Sequence, residues 1–259
     1  MSIIKKILIP FNFSEPSTNA LNYALNFAKD KKEVELNLIH VFEQNNKKTK
    51  EEIQKQFEII IEQFQKRTQS KIKSTIINDE LLSGIINYQI QSKSDIILMG
   101  TQGSEGEEST ITSQLIQKAD CSVLVIPKTY HKFKLKRIAV SIDKEKIDDP
   151  KVLDKLLDTT RRFTAKVFAL TILNESESYS EVDESNEIFL QYYLEKFYSH
   201  HSFLKRTDIK KGIFDYVKEN KIDLLAILPR HHSYQRTPSE GKLVSVLVKH
   251  ATVPLLILD

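Results

Sequence analysis

The chain has 259 residues, with 38 Lys and Arg against 35 Asp and Glu, 40% hydrophobic and 28% charged residues, and only 6 Gly and 7 Pro. That length suits one large domain or two of roughly 130 residues, and the composition is that of a folded chain rich in secondary structure rather than a disordered one. A net charge of +3 is too slight to make nucleic acid or an anionic membrane the expected partner, and the lone Cys121 excludes an intrachain disulfide.

In chain order, "KILIPF" at 6–11 is a short, nearly continuous apolar run, the pattern of a strand buried on both faces. No signal-peptide core precedes Pro10, and no later run reaches the roughly 20 apolar residues of a membrane-spanning helix, so the expected location is the cytoplasm. Ser14 is placed to cap a helix with Pro16 in its first turn and Ala20, Leu21, Ala24, Leu25 and Ala28 along one face. "LNLIHVF" at 36–42 is the next buried strand, with His40 expected as a hydrogen-bonded core residue near a pocket rim.

The spacing of Ile53, Phe57, Ile60, Ile61 and Phe64 predicts a helix over 49–68, and a third covers 81–93. "DIILMG" is a strand that runs into the glycine-dotted loop "TQGSEGEEST", after which Thr110 and Ser113 are spaced to cap a short fourth helix. "SVLVIP" closes the half, with Cys121 expected at its start as a small buried hydrophobe. Residues 129–136 read as a short basic linker containing Lys132, Lys134 and Lys136.

Beyond the linker the pattern returns. "RIAVSID" from Arg137 resembles "KILIPFN" at an offset of 131, which also superimposes "AKVFALTIL" on "VELNLIHVF". "GIFDYVKENKIDLLAIL" from Gly212 resembles the stretch from Gly84 at an offset of 128, and "KHATVPLLIL" resembles "QKADCSVLVI" at 132. Four segments in one order at nearly constant offsets imply two copies of one domain, over 1–128 and 137–259. The expected fold is α/β: two tandem doubly wound, Rossmann-like parallel-sheet domains, joined by a linker short enough that they pack as an internal pseudo-dimer. Whether a further homodimer forms is left open.

"ILIPFNFSEPSTNALNYALNFA" and "SDIILMGTQGSEG…ADCSVLVIP" resemble the opening strand and helix and the closing strand, glycine loop and final strand of universal stress proteins, and the resemblance extends over the chain in two copies. It implies a regulatory or protective stress-response protein rather than a turnover enzyme, with at most slow ATP hydrolysis, since no general base is placed. It further implies an adenine-nucleotide pocket, for ATP or AMP with Mg²⁺, formed in the first half by Pro10, Phe11, Asn12, Val41, Gly100, Thr101, Gly103, Ser109 and Thr110. In such a loop glycines let backbone N–H groups approach phosphate, and the following helix N-terminus attracts anions.

The chain departs from that pattern. Asn12 stands where the family has an acid, Phe11 where a small polar residue is usual, and the loop is shorter by about four residues and carries Glu105, Glu107 and Glu108, which repel phosphate. The second half restores an acid at Asp143 and places Gly241 and Lys242 at the later loop position, but has Pro229, Arg230, His231 and His232 in place of the glycine turn; Arg230, Arg236 and Lys242 supply positive charge there. A second reading therefore stays open: a nucleotide-free scaffold with decayed pockets whose surface recognises another protein. The pairs His200-His201 and His231-His232 lack the cysteine or carboxylate spacing of a metal site, and no metal is expected.

Overall fold

The computed structural model describes residues 4–28, 31–42, 49–102, 110–147, 149–228 and 238–259. The chain divides into two units, Met1–Phe133 and Lys134–Asp259.

The first unit runs β1 (Lys6–Pro10), α1 (Glu15–Ala28), β2 (Glu35–Phe42), α2 (Lys50–Gln65), β3 (Lys71–Asn78), α3 (Leu81–Ser92), β4 (Ile96–Thr101), α4 (Ile111–Lys118) and β5 (Ser122–Pro127). Its strands lie in the order β3-β2-β1-β4-β5, every neighbouring pair parallel. The three central strands are buried on both faces, which is why they read as unbroken apolar runs. Helix starts follow the local chemistry. Thr49 and Glu52 form a reciprocal capping box on α2, and Ser14 Oγ accepts from the Ser17 backbone at the start of α1. Thr110 accepts from the Ser113 N–H at 3.1 Å on α4, as its spacing predicts.

The second unit runs β6 (Arg137–Ser141), α5 (Asp154–Phe163), β7 (Lys166–Leu173), α6 (Ser185–Leu194), β8 (Tyr198–Lys205), α7 (Ile209–Glu219), β9 (Leu224–Ile227), α8 (Pro238–His250) and β10 (Leu255–Ile257). Its strand order, β10-β9-β6-β7-β8, has the same connectivity, again all parallel. Details repeat as well. Asp95 Oδ2 accepts the backbone N–H groups of Lys5 and Lys6, both at 2.8 Å; Asp223 Oδ2 accepts those of Lys136 and Arg137, at 2.9 and 3.0 Å. In each unit one carboxylate thus clamps the first strand to the start of the fourth. A methyl group on Gly84 would come within 2.9 Å of Val41, and one on Gly212 within 2.9 Å of Ile172. These glycines let α3 and α7 approach β2 and β7.

Three expectations need adjustment. The edge strands β3 and β8 are absent from the apolar runs read in the sequence, because an edge strand such as Lys71-Ile72-Lys73 alternates instead. Helix α2 ends at Gln65 rather than at residue 68: the Gln65 side chain donates to the Ser70 carbonyl and accepts from the Ile72 N–H, turning the chain into β3. Cys121 precedes β5 and is half-exposed, not buried. Residues 129–136 make contacts of their own: Tyr130 and Phe133 pack on Tyr23 of α1, and Lys134 pairs with Asp223 at 2.9 Å.

Candidate functional site

In the first unit the connections turn one way from β1 through β2 to β3 and the other way through β4 to β5. The topological switch point, where doubly wound sheets hold ligands beyond the carboxyl ends of their strands, lies between β1 and β4. Here the two strands pair only at Ile7↔Ile96 and Leu8↔Ile97, although β1 continues to Pro10 and β4 to Thr101. No ladder pair follows Leu8.

The second unit shows why. At its switch point β6 and β9 stay paired through Ser141↔Ile227, and the Ser141 carbonyl accepts from the Leu228 N–H at 3.2 Å. The N–H and C=O of a strand residue point to the same side, so the last residue of β6 bonds toward β9. The last residue of β1 is Pro10, which has no N–H to give to β4. The ladder at the first switch point lacks a hydrogen bond that the second one makes.

Around this end of the sheet the structure places six of the expected residues. Pro10 ends β1, Asn12 is exposed just beyond it, Val41 lies near the end of β2 against Gly84, and Gly100 and Thr101 end β4. Thr110 caps α4, whose N-terminus faces the same end of the sheet. Gly103 and Ser109, with Glu105, Glu107 and Glu108, lie outside the described residues.

Phe11 sits among these residues, but its ring points inward. It is 2% exposed and packs on Phe13 and Phe57 at centroid distances of 5.2 and 6.0 Å. Its N–H donates to the Ile39 carbonyl at 2.7 Å, and its carbonyl meets His40 Nδ1 at 2.9 Å. A carbonyl only accepts, so Nδ1 of His40 carries the proton. His40 is thus the buried, hydrogen-bonded rim residue expected of it, and Phe11 acts by holding the exit of β1 in place. Phe13 completes this floor at 5.4 Å from His40 and 5.0 Å from Phe57, in a left-handed conformation with φ 64° that is uncommon for an aromatic residue.

Gly100 also has a packing role. It belongs to β4, and a methyl group there would lie 2.0 Å from the Pro16 carbonyl oxygen. The glycine is required where the first turn of α1 crosses β4, a contact that motif reading, which assigned it to phosphate, did not bring out. The contribution of Ser14 was also missed. Its N–H and hydroxyl both donate to Asn12 Oδ1, at 3.2 and 2.5 Å, a local turn signalled by the Asn-x-Ser spacing.

In the second unit Asp143 accepts from the Lys144 N–H at 2.7 Å. The segment after β6 is laced to the one after β7: Asn186, itself 1% exposed, accepts from the Ile147 N–H and donates to the Glu145 carbonyl, while Lys144 pairs with Glu177 at 2.9 Å. Pro229, Arg230, His231, His232 and Arg236 lie outside the described residues, and Gly241 and Lys242 fall within α8. His200 and His201 diverge, one against Phe168 and the other against Phe203 and Thr171. Among the described residues no cluster of metal-ligating side chains occurs, and no helix is long and apolar enough to cross a membrane. A groove of about 620 Å³ opens between β3 and α3, beside Thr75, Asn78, Asn87 and Tyr88, and holds none of the expected site residues.

A doubly wound parallel sheet with its switch point beside the first strand defines the class of the first unit as a Rossmann-like α/β domain. Residues 4–127, nearly the whole of the first unit, match the universal stress protein family. Similar solved structures span both units. A universal stress protein from Archaeoglobus fulgidus DSM 4304 is 16% identical with a TM-score of 0.75, covering 97% of each chain. A universal stress protein described as putative, from Pseudomonas aeruginosa UCBPP-PA14, is 12% identical with a TM-score of 0.67, covering 98% of this chain and 93% of its own. The cytoplasmic domain of a prokaryotic cation chloride cotransporter is 16% identical with a TM-score of 0.59, covering 98% and 95%. At these identities the likeness establishes the fold. No curated protein matches the chain.

Proposed function

We propose that the protein is a stress-response binding module, regulatory or protective rather than a turnover enzyme, that holds an adenine nucleotide at the mouth of its first unit. The observation that carries this reading is the switch point between β1 and β4, where Pro10 leaves the ladder unextended beside Asn12, Val41 and Thr101 and ahead of the α4 N-terminus. We read the second unit as a second copy of the same domain, from its repeated connectivity and its repeated aspartate clamp. Its zipped and laced mouth takes no nucleotide in this reading. Calorimetric titration of the nucleotide-stripped protein with ATP and AMP, with and without Mg²⁺, tests the proposal. Micromolar binding that a Gly103→Glu variant loses is the expected result. No heat and no thermal shift at millimolar nucleotide would leave the rival, a ligand-free scaffold for another protein, which the closed second mouth favours.

A further inference from the structure

We propose that Asn12 meets the ligand of the first unit as a hydrogen-bond donor, reversing the polarity that an acid would have at that position. The inference rests on the nucleotide reading above and names a determinant of its specificity.

The orientation of the Asn12 amide follows from its neighbours. The Ser14 backbone N–H, 3.2 Å away, has only a proton to offer, so the atom facing it is the oxygen, and the Ser14 hydroxyl donates to the same Oδ1 at 2.5 Å. Flipping the amide would set Nδ2 against a backbone donor. Oδ1 is therefore committed to the turn that starts α1. Nδ2 is left at an exposed position with no acceptor among the described residues, just beyond β1 at its switch point with β4.

An aspartate here would use one oxygen in the same turn and turn the second toward the ligand, as a negatively charged acceptor. Asparagine keeps the turn and exchanges that oxygen for an N–H donor, so the two residues differ only at the atom the ligand meets. The ligand group that fits is one with a lone pair: a phosphate oxygen, or a ring nitrogen or oxygen of the nucleoside. A group recognised solely through its own proton does not fit, and an anion is not repelled.

Titrating the full chain and its Asn12→Asp and Asn12→Ala variants with ATP, AMP and adenosine tests this. Asn12→Asp, which preserves the turn and so the melting temperature, is expected to weaken binding at least tenfold, and Asn12→Ala to weaken it about fivefold, the size of one lost hydrogen bond. A penalty that persists with adenosine places the acceptor on the nucleoside, and a penalty confined to ATP and AMP places it on phosphate. Asn12→Asp binding as tightly as the parent, or more tightly, would overturn the inference while leaving the nucleotide reading intact, and so would an unchanged Asn12→Ala. No heat from the parent chain with any of the three ligands would remove the nucleotide reading, and this inference with it.

Discussion

At Gly100 a single hydrogen in place of a methyl group decides whether α1 can start where it does. The clash to be relieved is with the backbone oxygen of Pro16, at 2.0 Å, and backbone of this kind does not move aside as a side chain does. Gly100→Ala is therefore expected to lower the unfolding free energy by about 3 kcal/mol, measured by denaturant titration. At Gly84 the obstacle is the tip of Val41, and alanine's better helix propensity offsets much of the strain. Gly84→Ala, as the control, is expected to stay within about 1 kcal/mol.

His201 carries the pH response at the same scale. Thr171 donates its hydroxyl proton to the Ile142 carbonyl at 3.2 Å, so it accepts from His201 Nε2–H at 2.9 Å, and the second ring nitrogen is buried without a hydrogen-bond partner. Burial pushes this imidazole down to about 4; Glu187 opposes that shift and His200 adds to it. A folded-state value below the unfolded one means that the unfolded chain binds the extra proton first. Stability is then at its fullest above about 6.5 and declines as pH falls from there toward about 4. Melting temperatures at pH 7.5 and pH 5 are expected to differ less in His201→Gln than in the parent; an equal difference would place the response elsewhere.

Among the elements, the pair β1 and β4 sets the mouth. Pro10 ends β1 without an N–H, and the ladder to β4 stops two residues earlier, whereas Ser141 at the end of β6 accompanies a ladder that continues. Pro10→Ser restores the donor. The new amide at position 10 is expected to be protected from hydrogen exchange as the ladder extends, and nucleotide affinity to fall about fivefold, the equivalent of one net hydrogen bond favouring the closed mouth. Stability is expected to change little, since that bond is offset by the freedom the unfolded chain regains on losing proline. An exchange rate at position 10 like that of a free amide would show that something other than the missing donor ends the ladder at Leu8.

For the whole molecule, with nucleotide held at the first mouth as proposed and the laced second mouth taking none, one nucleotide per chain is the expected stoichiometry in the same titration. Two sites would mean that the lacing of Asn186 and Lys144 across the second mouth yields to ligand.

The sequence by itself determined the α/β class and the order of the buried elements along the chain. Strands buried on both faces must be apolar throughout and helices must show an apolar stripe, so buried runs, caps and the 131-residue offset were legible before any coordinates were known. The edge strands β3 and β8 were not, because half-exposed edges carry a weaker pattern. The candidate site was legible as a set of positions but not as a set of roles. Only the tertiary structure decided that Gly100 makes way for Pro16, that the Phe11 ring turns into the core, and that Ser14 fixes which end of the Asn12 amide faces outward. The physical reason is the same in each case: periodicity records the side on which a residue lies, whereas its role depends on partners far along the chain and on the direction of each donor and acceptor, which only packed coordinates contain.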